Sequence, residues 1–129
     1  MSSCDVKINA LNADAVSFKI FELDPSIRYV AILNREYNMV FSKMRERLEP
    51  FITPELDHSF MSIAPTLVVE TMQRLTVKCG ALQGIAVRYE KVVLLFYCCE
   101  EHIVVLSFDP VGLSQPLTRI TEQLKQIVP

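Results

Sequence analysis

Four cysteines and two histidines carry the most reactive side chains of this chain. Cys4, Cys79, Cys98 and Cys99 show none of the C-x-x-C spacings that metal and redox sites use. Cys98 and Cys99 are adjacent, so a strand would point them to opposite faces, and in a reducing compartment they read as packing residues rather than a disulfide. A working thiol needs a lowered pKa and access to solvent, whereas the flanking Glu100 and Glu101 would raise the pKa. His58 falls in the opening turns of an expected helix and His102 beside an expected turn. Neither has a nucleophile near it in sequence, so both read as surface residues and not as catalytic bases. Glu100-Glu101-His102 is a weak signal for a metal, being one turn with two carboxylates and an imidazole. The three glycines, at 80, 84 and 112, cannot compose a phosphate-cradling loop of the P-loop or dinucleotide type. The expectation is a chain without catalytic residues, metal or cofactor.

The bulk composition points the same way. With 129 residues the chain is expected to form one domain spanning residues 1–129, with a core that needs no staples. Half of the residues are hydrophobic and 22% are charged, which excludes a disordered chain and leaves apolar surface for a subunit interface to bury. The net charge is -2 without any like-charge run, so no nucleic-acid footprint is present. The densest basic stretch, Lys43, Arg45 and Arg47, is broken by Glu46 and Glu49 and reads as a solvated strand end or loop. Residues 1–5 lack the pattern of a signal peptide, and no apolar run approaches the roughly 20 residues needed to span a bilayer, so a cytoplasmic protein is expected.

Hydrophobic periodicity places the elements. A helix is expected from about Ala10 to Leu23, stopped by Asp24-Pro25. Val16, Ile20 and Leu23 form one apolar stripe on it, and Leu11, Ala15 and Phe18 form another nearly opposite, as in a helix that is sandwiched or touches a partner. Strands over Ile27 to Leu33 and Met39 to Ser42 make a hairpin, the second being an edge strand. Thr53-Pro54-Glu55 starts a long helix whose apolar face is Leu56, Phe60, Ile63, Ala64, Leu67, Val68, Met72 and Leu75, with Cys79-Gly80 as its stop. Pro65 should kink or break it near residues 61–65. Strands follow at Leu82 to Tyr89, Val92 to Cys98 and Ile103 to Phe108. The middle one of these is apolar almost throughout, which suits a central strand covered on both faces. Ser114-Gln115-Pro116 opens a last helix with the stripe Leu117, Ile120, Leu124 and Ile127. The fold class is therefore α+β, in the order α-β-β-α-β-β-β-α, with a five-stranded antiparallel sheet and helices on both faces.

That order resembles the roadblock/LC7 family within the profilin-like and longin-like folds. The resemblance is carried by the first hairpin, Tyr29-Val30-Ala31-Ile32-Leu33-Asn34-Arg35-Glu36, and by the three-strand stretch from Ile85 to Phe108. Leu23-Asp24-Pro25-Ser26-Ile27-Arg28, with Met44-Arg45-Glu46 and Glu90-Lys91-Val92-Val93, resembles more narrowly an archaeal branch of roadblock-like proteins. The match covers most of residues 16–110, and its motifs are structural. The chain departs from it at Pro65 and at the first hairpin turn. There the family commonly has glycine and this chain has Tyr37, leaving Asn38 as the residue expected to take the left-handed conformation.

The resemblance implies a homodimer paired through the long middle helix, residues 54–78, and the strand after it, residues 82–89. The interface residues so implied are Phe60, Ile63, Leu67, Met72, Leu82, Ile85 and Val87. It also implies a platform for a small Ras-like GTPase or for a motor or scaffold complex, and no GTPase-contacting residue can be carried over. Two other functions compete with this platform. A small-ligand-sensing domain would need a preformed pocket with converging polar groups, and a thiol-dependent enzyme would need Cys98 or Cys99 to be reactive.

Overall fold

A computed structural model describes residues 12–45 and 69–128. Helix α1 (Ala13–Phe21) leads into β1 (Ile27–Asn34) and β2 (Met39–Met44). A helical run over 69–79, here α2, ends in a 3-10 turn at Gln73–Leu75 and a last α-turn at Thr76–Cys79. Strands β3 (Gly84–Arg88), β4 (Val93–Cys98) and β5 (His102–Phe108) follow, and then α3 (Leu117–Ile127). The expected start of the long helix at Thr53-Pro54 and the kink expected at Pro65 lie outside the described residues.

The five strands form one sheet in the order β2-β1-β5-β4-β3, every neighbouring pair antiparallel. The middle strand is β5, every residue of which is buried, and the apolar β4 beside it is interior, as expected of a strand covered on both faces. Strand β1 pairs with β5 from Ile27↔Phe108 to Asn34↔His102 and so sets the middle of the sheet. This pairing also buries His102, 5% exposed, which corrects its expected place on the surface.

Alternation along the strands makes two cores. On one face Val30, Ile32, Val93, Leu95, Tyr97, Val104, Leu106 and Phe108 meet Ala13 and Ile20 of α1 and Ile120 and Leu124 of α3. On the other face Ala31, Leu33, Phe96, Cys98, Ile103 and Val105 meet Val69 of α2. Of the two apolar stripes expected on α1, the described members of only one are seated there, and Leu11 lies outside the described residues. Ile20 is buried, Val16 half-buried and Leu23 half-buried just past the helix end, whereas Ala15 and Phe18 lie outside this core. Phe18 has the Lys43 ammonium 5.6 Å from its ring centre, and Lys43 pairs with Asp14 at 2.9 Å, so this stripe is covered in part by a cation instead of a second layer.

Arg45, read from sequence as part of a solvated stretch, holds the end of α1. Its Nε donates to the Ile27 carbonyl at 2.6 Å, and its Nη2 donates to the carbonyls of Phe21 at 2.9 Å and Asp24 at 3.1 Å. Its guanidinium also lies 5.0 Å from the Phe21 ring centre. A cation at the negative end of a helix dipole, satisfying a carbonyl the helix leaves over, stabilises the C-terminus.

Candidate functional site

Among the described residues the chemically reactive side chains do not converge on one site. Cys98 and Cys99 are both buried, one on each face of the sheet as their adjacency requires. Burial pushes the Cys98 thiol up to about 11, with Cys99 adding to the rise and Arg35 opposing it. Burial also raises Cys99, whose Sγ donates to the His102 carbonyl at 3.0 Å. The expected direction holds, but the cause is desolvation and not the neighbouring glutamates. Both thiols are therefore neutral at physiological pH and poor nucleophiles. Among the described residues no group of three or more His, Cys, Asp or Glu is placed to hold a metal ion. His58 lies outside the described residues.

Between β3 and α3 runs an open groove of about 260 Å³, lined by Gln83, Gly84, Ala86 and Leu95 on the sheet and by Leu117, Thr118, Thr121 and Glu122 on the helix side. Its one ionisable side chain is Glu122. Four of its lining side chains are polar, but ligand pockets usually enclose about 300 Å³ or more, so this small open groove does not strengthen the ligand-sensing alternative.

What the described residues do present is an edge. The outer strands are β2 and β3, and they are defended differently. In β2 the register slips between Ile32 and Leu33, which pair with Phe41 and Met39, so Val40 is the extra residue of a bulge. Lys43 and Arg45 then tie the rest of that edge back to α1 and the loop after it. Bulges and charges of this kind stop a sheet from recruiting another strand. Strand β3, Gly-Ile-Ala-Val-Arg, has no bulge and no proline, and no charge before Arg88. The Gln83 carbonyl and the Tyr89 amide both bond toward β4, so by alternation Gly84, Ala86 and Arg88 turn their backbone groups outward. These three are also the exposed residues of the strand, while Ile85 and Val87 are half-buried.

The end of α2 lies just before this edge in the chain. Only Val69, Gln73 and Thr76, one stripe at helical spacing, are buried or half-buried between residues 69 and 79. Met72 is 43% exposed, Leu75 58% and Val77 89%. The sequence placed Met72 and Leu75 on the apolar face of the helix, and the structure turns them to solvent. Two members of the real inner stripe are polar, so hydropathy gave no sign of it. Of the implied interface residues, Met72 is thus exposed, while Leu82, Ile85 and Val87 are half-buried against the same cluster as Val69. Phe60, Ile63 and Leu67 lie outside the described residues.

Sequence reasoning missed two anchors of the fold. Asp24, read only as a helix stop, is 1% exposed. Its Oδ1 accepts from the Ser26 amide at 2.9 Å and the Ser26 hydroxyl at 2.6 Å, and its Oδ2 accepts from the Ser114 amide at 3.1 Å and the Ser114 hydroxyl at 2.5 Å. The second anchor is Tyr37, whose φ of 63° puts it, and not Asn38, in the left-handed region. A serine or asparagine spaced for an Asx turn is a local signal and could have been read around Asn34. Ser114 is 90 residues from Asp24 and leaves no local trace.

No helix among the described residues is long and apolar enough to cross a membrane. No protein-family model matches the chain, and no curated protein does. Solved structures do. The gliding protein MglB from Thermus thermophilus superposes with a TM-score of 0.68 at 19% identity, over 95% of this chain and 88% of that one. An MglB with tetrameric arrangement gives 0.66 at 21% identity, over 95% and 93%. A Roadblock/LC7 domain from Streptomyces avermitilis gives 0.64 at 8% identity, over 89% and 90%. At these identities the likeness is one of fold.

Proposed function

We propose that this chain, which has the roadblock/LC7-like fold, is a single-domain, non-catalytic platform that pairs with a second copy of itself and in that form regulates or scaffolds a small Ras-like GTPase. The observation that carries the pairing is the undefended β3 edge following directly on a helix end with Met72, Leu75 and Val77 exposed. Addition of strand β3 from a second copy would satisfy the outward backbone groups of Gly84, Ala86 and Arg88, and the helix ends would bury their apolar side chains. A two-fold contact of this kind is self-complementary and closed, which limits assembly to a defined species. The seven-residue set Phe60, Ile63, Leu67, Met72, Leu82, Ile85 and Val87 is the proposed interface, to which the exposed Leu75 and Val77 are added. That an MglB of the same fold has a tetrameric arrangement supports self-association as a property this fold can carry.

The GTPase part of the proposal rests on the roadblock/LC7 resemblance, and the burial of Cys98 and Cys99, which raises both thiols, supports the non-catalytic part. The decisive measurement is sedimentation equilibrium on the full chain. A dimer at tens of micromolar is expected, since specific interfaces of standard size hold at about micromolar Kd or tighter. A strict monomer at that concentration would rule the platform out. GTPase binding is then tested by pull-down against Ras-like GTPases loaded with GTP analogue or GDP, with retention of at least one as the expected result.

A further inference from the structure

The tip of the β1–β2 hairpin holds a bulky residue in a conformation that favours glycine. Tyr37 sits at φ 63°, where side chains other than those of asparagine, aspartate and glycine are uncommon and persist only when the surroundings impose it. The backbone reasons are local. Asn34 Oδ1 accepts from the amides of Glu36 and Asn38, both at 3.0 Å. The Asn34 carbonyl accepts from the Tyr37 amide, and the Asn38 carbonyl from the Asn34 amide, again both at 3.0 Å. Asn34 therefore closes the turn by itself, and a glycine at position 37 would occupy it without steric penalty.

What tyrosine adds is its side chain. The ring is half-buried against the second core cluster, and its hydroxyl donates to the Glu70 carboxylate. A hydrogen bond to an ionised acceptor is stronger than one between neutral groups. Burial, and next the bond to Glu70, push Tyr37 up to about 12, so the hydroxyl keeps its proton across the physiological range. Glu70 follows the buried Val69 and precedes Met72 by two residues. Along 69–79 the helix is seated lightly, with one buried residue and two half-buried ones, and it tightens into a 3-10 turn at Gln73–Leu75.

We infer that Tyr37 is a positioning residue, held in a disfavoured backbone conformation so that its hydroxyl grips Glu70 and fixes the pose of α2 for pairing with the second copy. This rests on the pairing proposed above. A helix already held in its bound pose loses less conformational freedom on association, so the latch contributes to affinity without itself lying in the interface. It also couples the hairpin tip to the pairing surface: whatever displaces the Tyr37 turn loosens the helix end that bears Met72 and Leu75.

The test compares Tyr37→Phe, which keeps the ring, Glu70→Ala, which removes the acceptor, the double variant, and Glu70→Gln, which keeps an acceptor oxygen. The readouts are dimer Kd from sedimentation equilibrium and amide exchange of residues 69–79 in samples dilute enough to be monomeric. Tyr37→Phe and Glu70→Ala are each expected to raise Kd about tenfold, the double variant no further, and Glu70→Gln less than about threefold. Exchange in 69–79 should quicken in Tyr37→Phe while the β1, β4 and β5 amides keep their protection. An unchanged Kd in Tyr37→Phe, or equal losses in Glu70→Gln and Glu70→Ala, overturns the latch. If the wild-type chain never dimerises, the pairing falls on its own, and exchange alone then decides: faster in Tyr37→Phe supports the latch, unchanged overturns it.

Discussion

Asp24 accepts four hydrogen bonds while almost fully buried, joining the end of α1 to the loop before α3. Burial by itself would raise its pKa. The bonds from Ser114 and Ser26 outweigh that and hold the carboxyl below its ordinary 3.8. A carboxyl depressed on folding adds stability above its unfolded value and loses it as pH falls through the lower folded value. Wild-type unfolding free energy should therefore decline as pH drops below about 4, and more steeply than in Asp24→Asn, where no carboxylate titrates. At pH 7 Asp24→Ala strands buried donors on two loops and should lower stability by about 3 kcal/mol in urea unfolding. A change under about 0.5 kcal/mol would mean that water replaces the carboxylate without penalty. Thiol labelling gives a second check at this scale. Cys79, exposed on the last turn of α2, should react with a maleimide in the native protein, while Cys98 and Cys99 stay protected until the sheet opens. Labelling of Cys98 in the native protein at the rate of free cysteine would reopen the enzyme reading.

Among the elements, β3 makes the sharpest prediction because the proposed pairing gives its two sides separate jobs. Ala86 turns its amide away from β4, so Ala86→Pro removes a donor that the protomer does not use and leaves the β3–β4 ladder intact. The expected outcome is a folded monomer with dimer Kd weakened more than about tenfold, since an edge proline blocks strand addition. Leu75→Asp should act likewise from the helix side: the residue is 58% exposed, so the isolated protomer tolerates the charge, whereas a dimer would have to bury it. A tight dimer surviving both changes would move the interface elsewhere. How far these elements could be read from sequence follows from where their signals lie. Period-two alternation and the polar turns were local, so all five strands were expected within a few residues, and the Cys79-Gly80 stop agrees with Gly80 at φ 85°. Strand order was not local. Composition marks β4 as an interior strand, which it is, but the middle of the sheet is set by β1 reaching across to β5, a pairing that hydropathy does not record. The same holds for His102, which follows a turn in sequence yet lies opposite Asn34 in the sheet. Met72 and Leu75 were recognised as apolar, but which side of the helix meets the sheet depends on Val69, Gln73 and Thr76, two of them polar.

At the scale of the whole molecule, two edges of one sheet are treated unequally, and the inequality decides what assembly is possible. A chain with both edges open would add strands without limit; a chain with both closed would stay alone. Among the described residues β2 is bulged and tied down by Lys43 and Arg45 while β3 is plain, so the proposed strand addition would exhaust the free edges and leave a closed pair. Pairing of this kind ties folding to concentration, because the folded dimer gains from mass action and the unfolded chain does not. If unfolding and dissociation are coupled, a hundredfold rise in concentration adds about 2.7 kcal/mol per dimer, which for protomers of this size raises Tm by about 5 °C. Differential scanning fluorimetry across that range should show the rise in the wild-type chain and a flat response in Ala86→Pro. A wild-type Tm that ignores concentration would mean that protomers fold and melt alone. In that case the open edge at Gly84, Ala86 and Arg88 would be an unprotected margin, and the platform would lose its physical basis.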